Sequence, residues 1–216
     1  MIIAIDGPSG SGKSTLGRML ARALNLLYID TGSMYRAVAL AVIEAEIEPE
    51  DAGAVTALAN RIDVNLDGGP DSLKVSLDGR DVTNEIRTER VTAMSSLISS
   101  IPGVRRAMVE GQRAMGQRGA VLNGRDIGTV VFPDADIKFF LTASPEERAE
   151  RRYQEEQMTA ESSATFEATL AEMIERDKRD STRADSPLKI ADDAIVIDST
   201  GKTVDEVFNE MMSFVP

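Results

Sequence analysis

An α/β fold with a central parallel sheet is what this 216-residue chain predicts. Three observations carry it. Short apolar runs of strand length alternate with stretches of helical period, the pattern of strand-helix-strand units joined by right-handed crossovers. A glycine-rich segment, Gly7 to Ser14, stands between the first run and the first helical stretch. The composition, 42% hydrophobic residues with 16 glycines, lies in the globular range and excludes disordered and fibrous classes.

Residues 2–6 (IIAID) form an apolar run ending in glycine, as a buried strand requires. Leu16, Met19, Leu20, Ala23 and Leu24 then recur on one helical face. Residues 26–30 predict a second strand, and Met34, Ala37, Val38, Ala41, Val42 and Ala45 a second helical face. Between 63 and 83 the period changes to two. Leu73, Val75 and Leu77 alternate, and Asp78-Gly79 is a hairpin signal before residues 80–83, so a small antiparallel insertion is predicted. Helices over 84–99 and, after Pro102, over 104–117 follow. Residues 120–123 and 137–141 return to the strand pattern. Ser144-Pro145-Glu146-Glu147 combines a capping box with proline at the first helical position. Residues 154–164 are polar, without Gly or Pro, and lie between two charged helices. A strand over 194–198 and a helix opened by a second capping box, Thr203 to Glu206, finish the chain, which brings the central sheet to five strands.

No apolar run approaches the roughly 18 residues of a membrane-spanning helix, and the opening residues lack the basic and long apolar regions of a signal peptide. A cytoplasmic monomer without a membrane partner is expected. The chain has no Cys and no His, which excludes disulfides, thiolate nucleophiles, imidazole bases and zinc sites built on those ligands. The chemistry left is positioning and electrostatics by carboxylates, Lys, Arg and oxygen-bound magnesium. A net charge of −12 argues against a nucleic-acid polymer as partner. Arg nevertheless outnumbers Lys three to one and occurs in tight clusters, which leaves room for a small phosphorylated ligand in a local basic site.

Gly7-Pro8-Ser9-Gly10-Ser11-Gly12-Lys13-Ser14 matches G-x-x-x-x-G-K-[ST] in the strand-to-helix context that this motif needs. Its glycines let successive N–H groups turn inward onto phosphate oxygens, Lys13 adds a point charge, and Ser14 can ligate magnesium. With Thr15, these nine residues are the candidate ATP site. The dinucleotide fingerprint G-x-G-x-x-G fails, because Thr15 stands where its third glycine would be. No Asn-Lys-x-Asp guanine reader is present, and Asp198-Ser199-Thr200-Gly201 reads as a strand end and turn rather than as a switch motif.

Four segments in order, GPSGSGKST (7–15), DTGSMYR (30–36), GRDIGTVVFP (124–133) and RDKRDSTR (176–183), make the chain resemble the bacterial cytidylate kinases over nearly its whole length. The resemblance implies a P-loop NTPase fold in which 1–36, 106–150 and 166–216 form the ATP-binding core, 37–105 a nucleoside-monophosphate-binding insertion and 151–165 a lid. It implies phosphoryl transfer from ATP to CMP or dCMP with magnesium, held by Ser14 with Asp30 as a second candidate. It assigns Lys13, Arg151, Arg152 and Arg183 to catalysis. It assigns Thr31, Arg36, Ser96, Arg105, Arg125, Asp126, Arg176 and Asp180 to CMP. Arg176, Asp180 and Arg183 recur at helical spacing on one face, and the glycines flanking Arg125-Asp126 permit a turn in which both side chains converge on the base. The sequence departs from the family at Asn123, where Asp or Glu is usual before the GRDIGT segment. Another small-molecule phosphate-loop kinase, or a nucleotide-dependent switch protein, remain the alternatives.

Overall fold

The computed structural model describes residues 1–157 and 165–216, without the Glu156 side chain. Along the chain, β1 (Ile2–Asp6), α1 (Lys13–Leu24), β2 (Leu27–Asp30) and α2 (Thr31–Glu44) are followed by α3 (Ala52–Arg61) and the hairpin strands β3 (Val64–Asp67), β4 (Lys74–Leu77) and β5 (Arg80–Asp81). Then come α4 (Glu89–Ile98), α5 (Pro102–Gly116), β6 (Ala120–Gly124), β7 (Ile137–Thr142), α6 (Pro145–Gln157), α7 (Phe166–Thr182), β8 (Ile195–Asp198) and α8 (Val204–Met212).

The predicted five-stranded sheet is present, in the order β2-β6-β1-β7-β8 with every pairing parallel. Its strands are apolar on both faces because helices cover both, as parallel sheets demand. Ile3, Ile5, Val121, Phe139 and Leu141 pack on one side with Leu16 and Leu20 of α1 and Val207 and Met211 of α8. Ala4, Ile29 and Leu122 pack on the other with Val109 of α5 and Ile127. At about 25 cal/mol per Å² of apolar surface, these buried residues supply most of the folding drive.

A separate hydrophobic cluster runs from Met34 in α2 to Met108 in α5. In the three-stranded antiparallel sheet β3-β4-β5, Val64 pairs with Leu77 and Leu66 with Val75, and β4 turns into β5 through Asp78 and Gly79, both at positive φ. That backbone is the reason for the Asp-Gly pair.

Three local features differ from expectation. Helix α3 was not legible, although Asp51 caps it and Val55, Leu58 and Ala59 face the core. The helix expected over 84–99 is broken into a 3₁₀ turn, Glu85–Arg87, and α4, because Thr88 is extended and its hydroxyl caps the new helix by accepting from Val91 N. Only half of the Ser144 box forms. Its hydroxyl accepts from Glu147 N, but its own N–H donates to Thr200 Oγ1 and Glu147 turns to Arg151. The Thr203–Glu206 box is complete. The central part of the lid expected at 151–165, residues 158–164, lies outside the described residues, and among those described no helix is long and apolar enough to cross a membrane.

Candidate active site

The strand ends of β1, β2 and β6 meet where the sheet order reverses, the place at which open α/β sheets bind ligands. The loop leaving β1 needs its glycines for close approach. A Cβ on Gly7 would stand 2.0 Å from the Leu141 carbonyl oxygen, and one on Gly10 2.9 Å from that of Arg148, both at positive φ. Inside the loop Ser11 Oγ donates to Pro8 O at 3.0 Å, and Lys13 Nζ donates to the same oxygen at 2.5 Å. No side chain caps α1, whose N-cap is Gly12, so its first N–H groups stay available to an anion. Burial, then the neighbouring Arg125, pushes the pKa of Lys13 well below the usual lysine range.

A cleft of about 850 Å³ opens from this loop. Asp30 caps α2 by accepting from Gly32 N at 3.1 Å and Ser33 Oγ at 2.7 Å, and it pairs with Arg36 at 3.1 Å. Thr31 Oγ1 donates to the Asn123 carbonyl at 2.8 Å, which ties α2 to β6. Farther in, buried Arg105 donates to Asp126 at 2.5 Å and to Ser99 O at 3.1 Å while lying over the Tyr35 ring. Arg125 donates to Asp180 at 2.9 Å. Burial would raise the pKa of Asp180, but Arg125 and Arg176 hold it below the usual carboxylate range. Burial lowers Arg176 to about 10, with Arg125 adding repulsion. Arg36 Nε, Arg105 Nε and Arg183 Nη2 are buried without a hydrogen bond, which leaves donors free in a cation-rich site.

Of the sequence-predicted site residues, all but Gly7, Pro8 and Ser96 line this cleft. Gly7 and Pro8 form the back of the loop. Ser95 on α4 and Ser99 just past its end line the cleft instead, because the helix rotates Ser96 off that side. Arg125 and Asp126 do not converge as expected: one turns to Asp180 and the other to Arg105. Arg183 lies just past α7 in extended backbone, not on the helical face, yet its guanidinium stands 3.8 Å from Asp180 and 3.9 Å from Asp126. Arg151 lines the cleft while holding Ser199 and Glu147. Arg152 lies nearby, 3.8 Å from Glu155.

Asp6, Tyr35, Arg148 and Ser199 were not singled out as site residues. Tyr35 stands inside the 30–36 motif and could have been found there, whereas Asp6 precedes the loop motif as the end of the first strand. Arg148 was read with Arg151 and Arg152 as a basic cluster that neutralises the transferring phosphoryl group, without a place of its own in the site, and Ser199 carried no signal beyond its turn.

A family model described as cytidylate kinase matches residues 3–216. Among relatives, the cytidylate kinase of Desulforamulus reducens is 51% identical over 99% of this chain and 96% of its own, and that of Geobacter sp. (strain M21) 48% identical over 98% and 91%. Among solved structures, a shikimate kinase from Bacteroides thetaiotaomicron aligns with a TM-score of 0.50 at 11% identity, covering 100% of this chain and 98% of its own. An uncharacterized protein from Eubacterium ventriosum aligns at 0.53 and 15%, with the same coverage. These two likenesses speak to the fold alone.

Proposed function

The chain belongs to the cytidylate kinase family, and from that premise we propose that it transfers the γ-phosphoryl group of ATP to CMP or dCMP, giving ADP and CDP or dCDP. The observation that carries the reading is the single cleft with the Lys13 loop at one end and the buried Arg105–Asp126 pair at the other, cations between them. The acceptor is a phosphate oxygen, ionised at neutral pH with a second pKa of about 6, so no general base is needed and a chain without histidine loses nothing.

Catalysis then reduces to holding two polyanions in line and stabilising the charge between them. The loop 7–15 holds the β- and γ-phosphates, with Lys13 on the transferring group. Arg36, Arg125 and Arg176 hold the acceptor phosphate, and Thr31 and Asp180 its nucleoside. Arg183 acts from the acceptor side and Arg151 and Arg152 from α6 as the insertion and the 151–165 segment close. Asp126 accepts from the cytosine 4-amino group while Arg105 donates to N3, a pattern that uracil opposes.

Magnesium is fitted by oxygens rather than by a carboxylate cluster, of which the described residues contain none. Ser14 Oγ accepts from Asn123 Nδ2 at 3.0 Å and keeps a lone pair, and buried Asn123 Oδ1 has no partner, as suits an acceptor for metal-bound water. Asp30 is committed to its cap and to Arg36, so it is the weaker candidate. The ion, arriving with ATP, would neutralise the β- and γ-phosphates. A coupled assay of ADP formation with CMP, dCMP, UMP, AMP and shikimate tests the reading. Formation with CMP and dCMP above the others is expected, and none with any acceptor would favour a switch protein.

A further inference from the structure

Asp6 ends β1 with 4% of its surface exposed and makes no salt bridge among the described residues. One carboxylate oxygen accepts from Ile127 N at 2.9 Å and the other from Gly128 N at 2.8 Å. The register places Asp6 beside Gly124, so its side chain reaches past the end of β6 to the turn that follows. That turn, Ile127–Val131, has no cap of its own, and Asp6 supplies one from another strand. Arg125 and Asp126 stand immediately before it, and Gly7, the first residue of the phosphate loop, immediately after Asp6.

A buried carboxylate without a cation bonded to it is costly, and the fold could be capped more cheaply by a neutral group. What a carboxylate adds is two acceptors for two convergent N–H groups, whereas an amide has one. We propose that Asp6 is a positioning residue for acceptor selection: it fixes the turn that sets Asp126 against the base and Arg125 against the acceptor phosphate, in register with the phosphate loop. The inference rests on the proposed role of Asp126 in reading the base.

Asp6→Asn should lower kcat/KM for CMP by about tenfold or more and narrow the CMP over UMP ratio, with the Kd for ATP alone changed by less than about twofold. In the double variant with Asp126→Asn the ratio should be no narrower than in Asp126→Asn alone, because the two act through one contact. An Asp6→Asn enzyme with an unchanged ratio and an unchanged KM for CMP overturns the inference. If Asp126→Asn itself leaves the ratio intact, the base reading fails first, and the two failures are told apart. Should Asp6→Asn not fold, Gly128→Ala carries the test. Its Cβ would press on Lys138 Cδ at 3.1 Å and Cγ at 3.3 Å, both tighter than ordinary contact, and so strain the turn beside Asp6 without touching the phosphate loop. The same narrowed ratio is expected, and an unchanged one again overturns the inference.

Discussion

Arg105 and Asp126, 21 residues apart, form a buried ion pair at 2.5 Å with Tyr35 packed against the guanidinium. Burial pushes the Tyr35 hydroxyl up to about 12, so it stays neutral beside the pair. Arg105 on α5 thus supplies the donor and Asp126, just past β6, the acceptor of the proposed base-reading couple, and selection depends on how these two segments meet.

The first prediction follows from this couple. Uracil mismatches two hydrogen-bonding positions, each costing about 1–3 kcal/mol when buried, so preference for CMP should reach roughly two to four orders of magnitude. Asp126→Asn replaces one acceptor with a donor and should shrink the ratio of kcat/KM values chiefly by losing CMP. A ratio equal to wild type removes Asp126 as base reader.

Lys13 carries the second. Its amine is buried, and burial and Arg125 hold its pKa below the usual lysine range, so an anion in the loop would favour its charged form. Lys13→Ala should cut turnover by about two or more orders of magnitude and leave the fold intact, since it removes a buried cation that only backbone and hydroxyl oxygens partner. Near-normal turnover would take the loop out of the mechanism.

The sheet, the loop and most of the cleft were legible because each depends on local signals: apolar runs, glycine spacing, caps. What was not legible depends on which distant segment comes near. Arg125 and Asp126 are adjacent in sequence, and adjacency suggested a shared target, but successive side chains diverge on such a backbone, and Asp180 and Arg105 claim them separately. Asp6 looked like a strand end, because nothing local announces that two N–H groups more than a hundred residues away need its oxygens. Ser96 was one of four nearby serines, and only helix phase decides which of them face the cleft.

Closure gives the third prediction. Arg36 sits on α2, Arg105 on α5, Arg125 just past β6, Arg176 on α7, and Arg151 and Arg152 on α6. An open arrangement would spend ATP on water, so assembly should await the acceptor. ATP and CMP together should slow amide exchange across 60–105 and 151–157 more than either alone. Exchange unchanged in both regions contradicts moving parts.

A pH dependence follows from Asp6. Burial raises its pKa from 3.8 to about 6 despite the N–H groups of Gly128 and Ile127, with Asp126 adding repulsion and Lys13 attraction. Between these values the folded state holds more protons than the unfolded one, so stability falls as pH rises through the window. Ionised Asp6 therefore costs about 3 kcal/mol at neutral pH relative to acid, at about 1.4 kcal/mol per unit. The Tm of wild type minus that of Asp6→Asn, followed by calorimetry, should decline from about pH 4 to about pH 7. A pH-independent difference would show that burial does not perturb this group.

The last prediction concerns Arg148, which braces the phosphate loop from behind. A loop whose N–H groups point inward at phosphate turns carbonyls outward, and those oxygens need partners. Arg148 provides one: its guanidinium donates to Ser9 O at 3.1 Å and to Ala143 O at 3.0 Å, and it pairs with Asp177 of α7 at 2.7 Å. It is buried and joins the back of the loop to α6, on which it sits, and to α7. Arg148→Ala strands Ser9 O and leaves Asp177 without its cation, so stability should drop by about 3 kcal/mol, the scale of breaking a buried pair. The Kd for ATP should rise about tenfold as the loop loosens, while KM for CMP, set on the other side of the cleft, should change little. Arg148→Lys keeps a charge for Asp177 but cannot fork to two carbonyls as well, so it should recover stability more than ATP affinity. Calorimetry and equilibrium ATP binding on the two variants distinguish these effects. An Arg148→Ala protein that binds ATP as wild type does, however unstable, would mean that the loop holds its shape by its glycines alone.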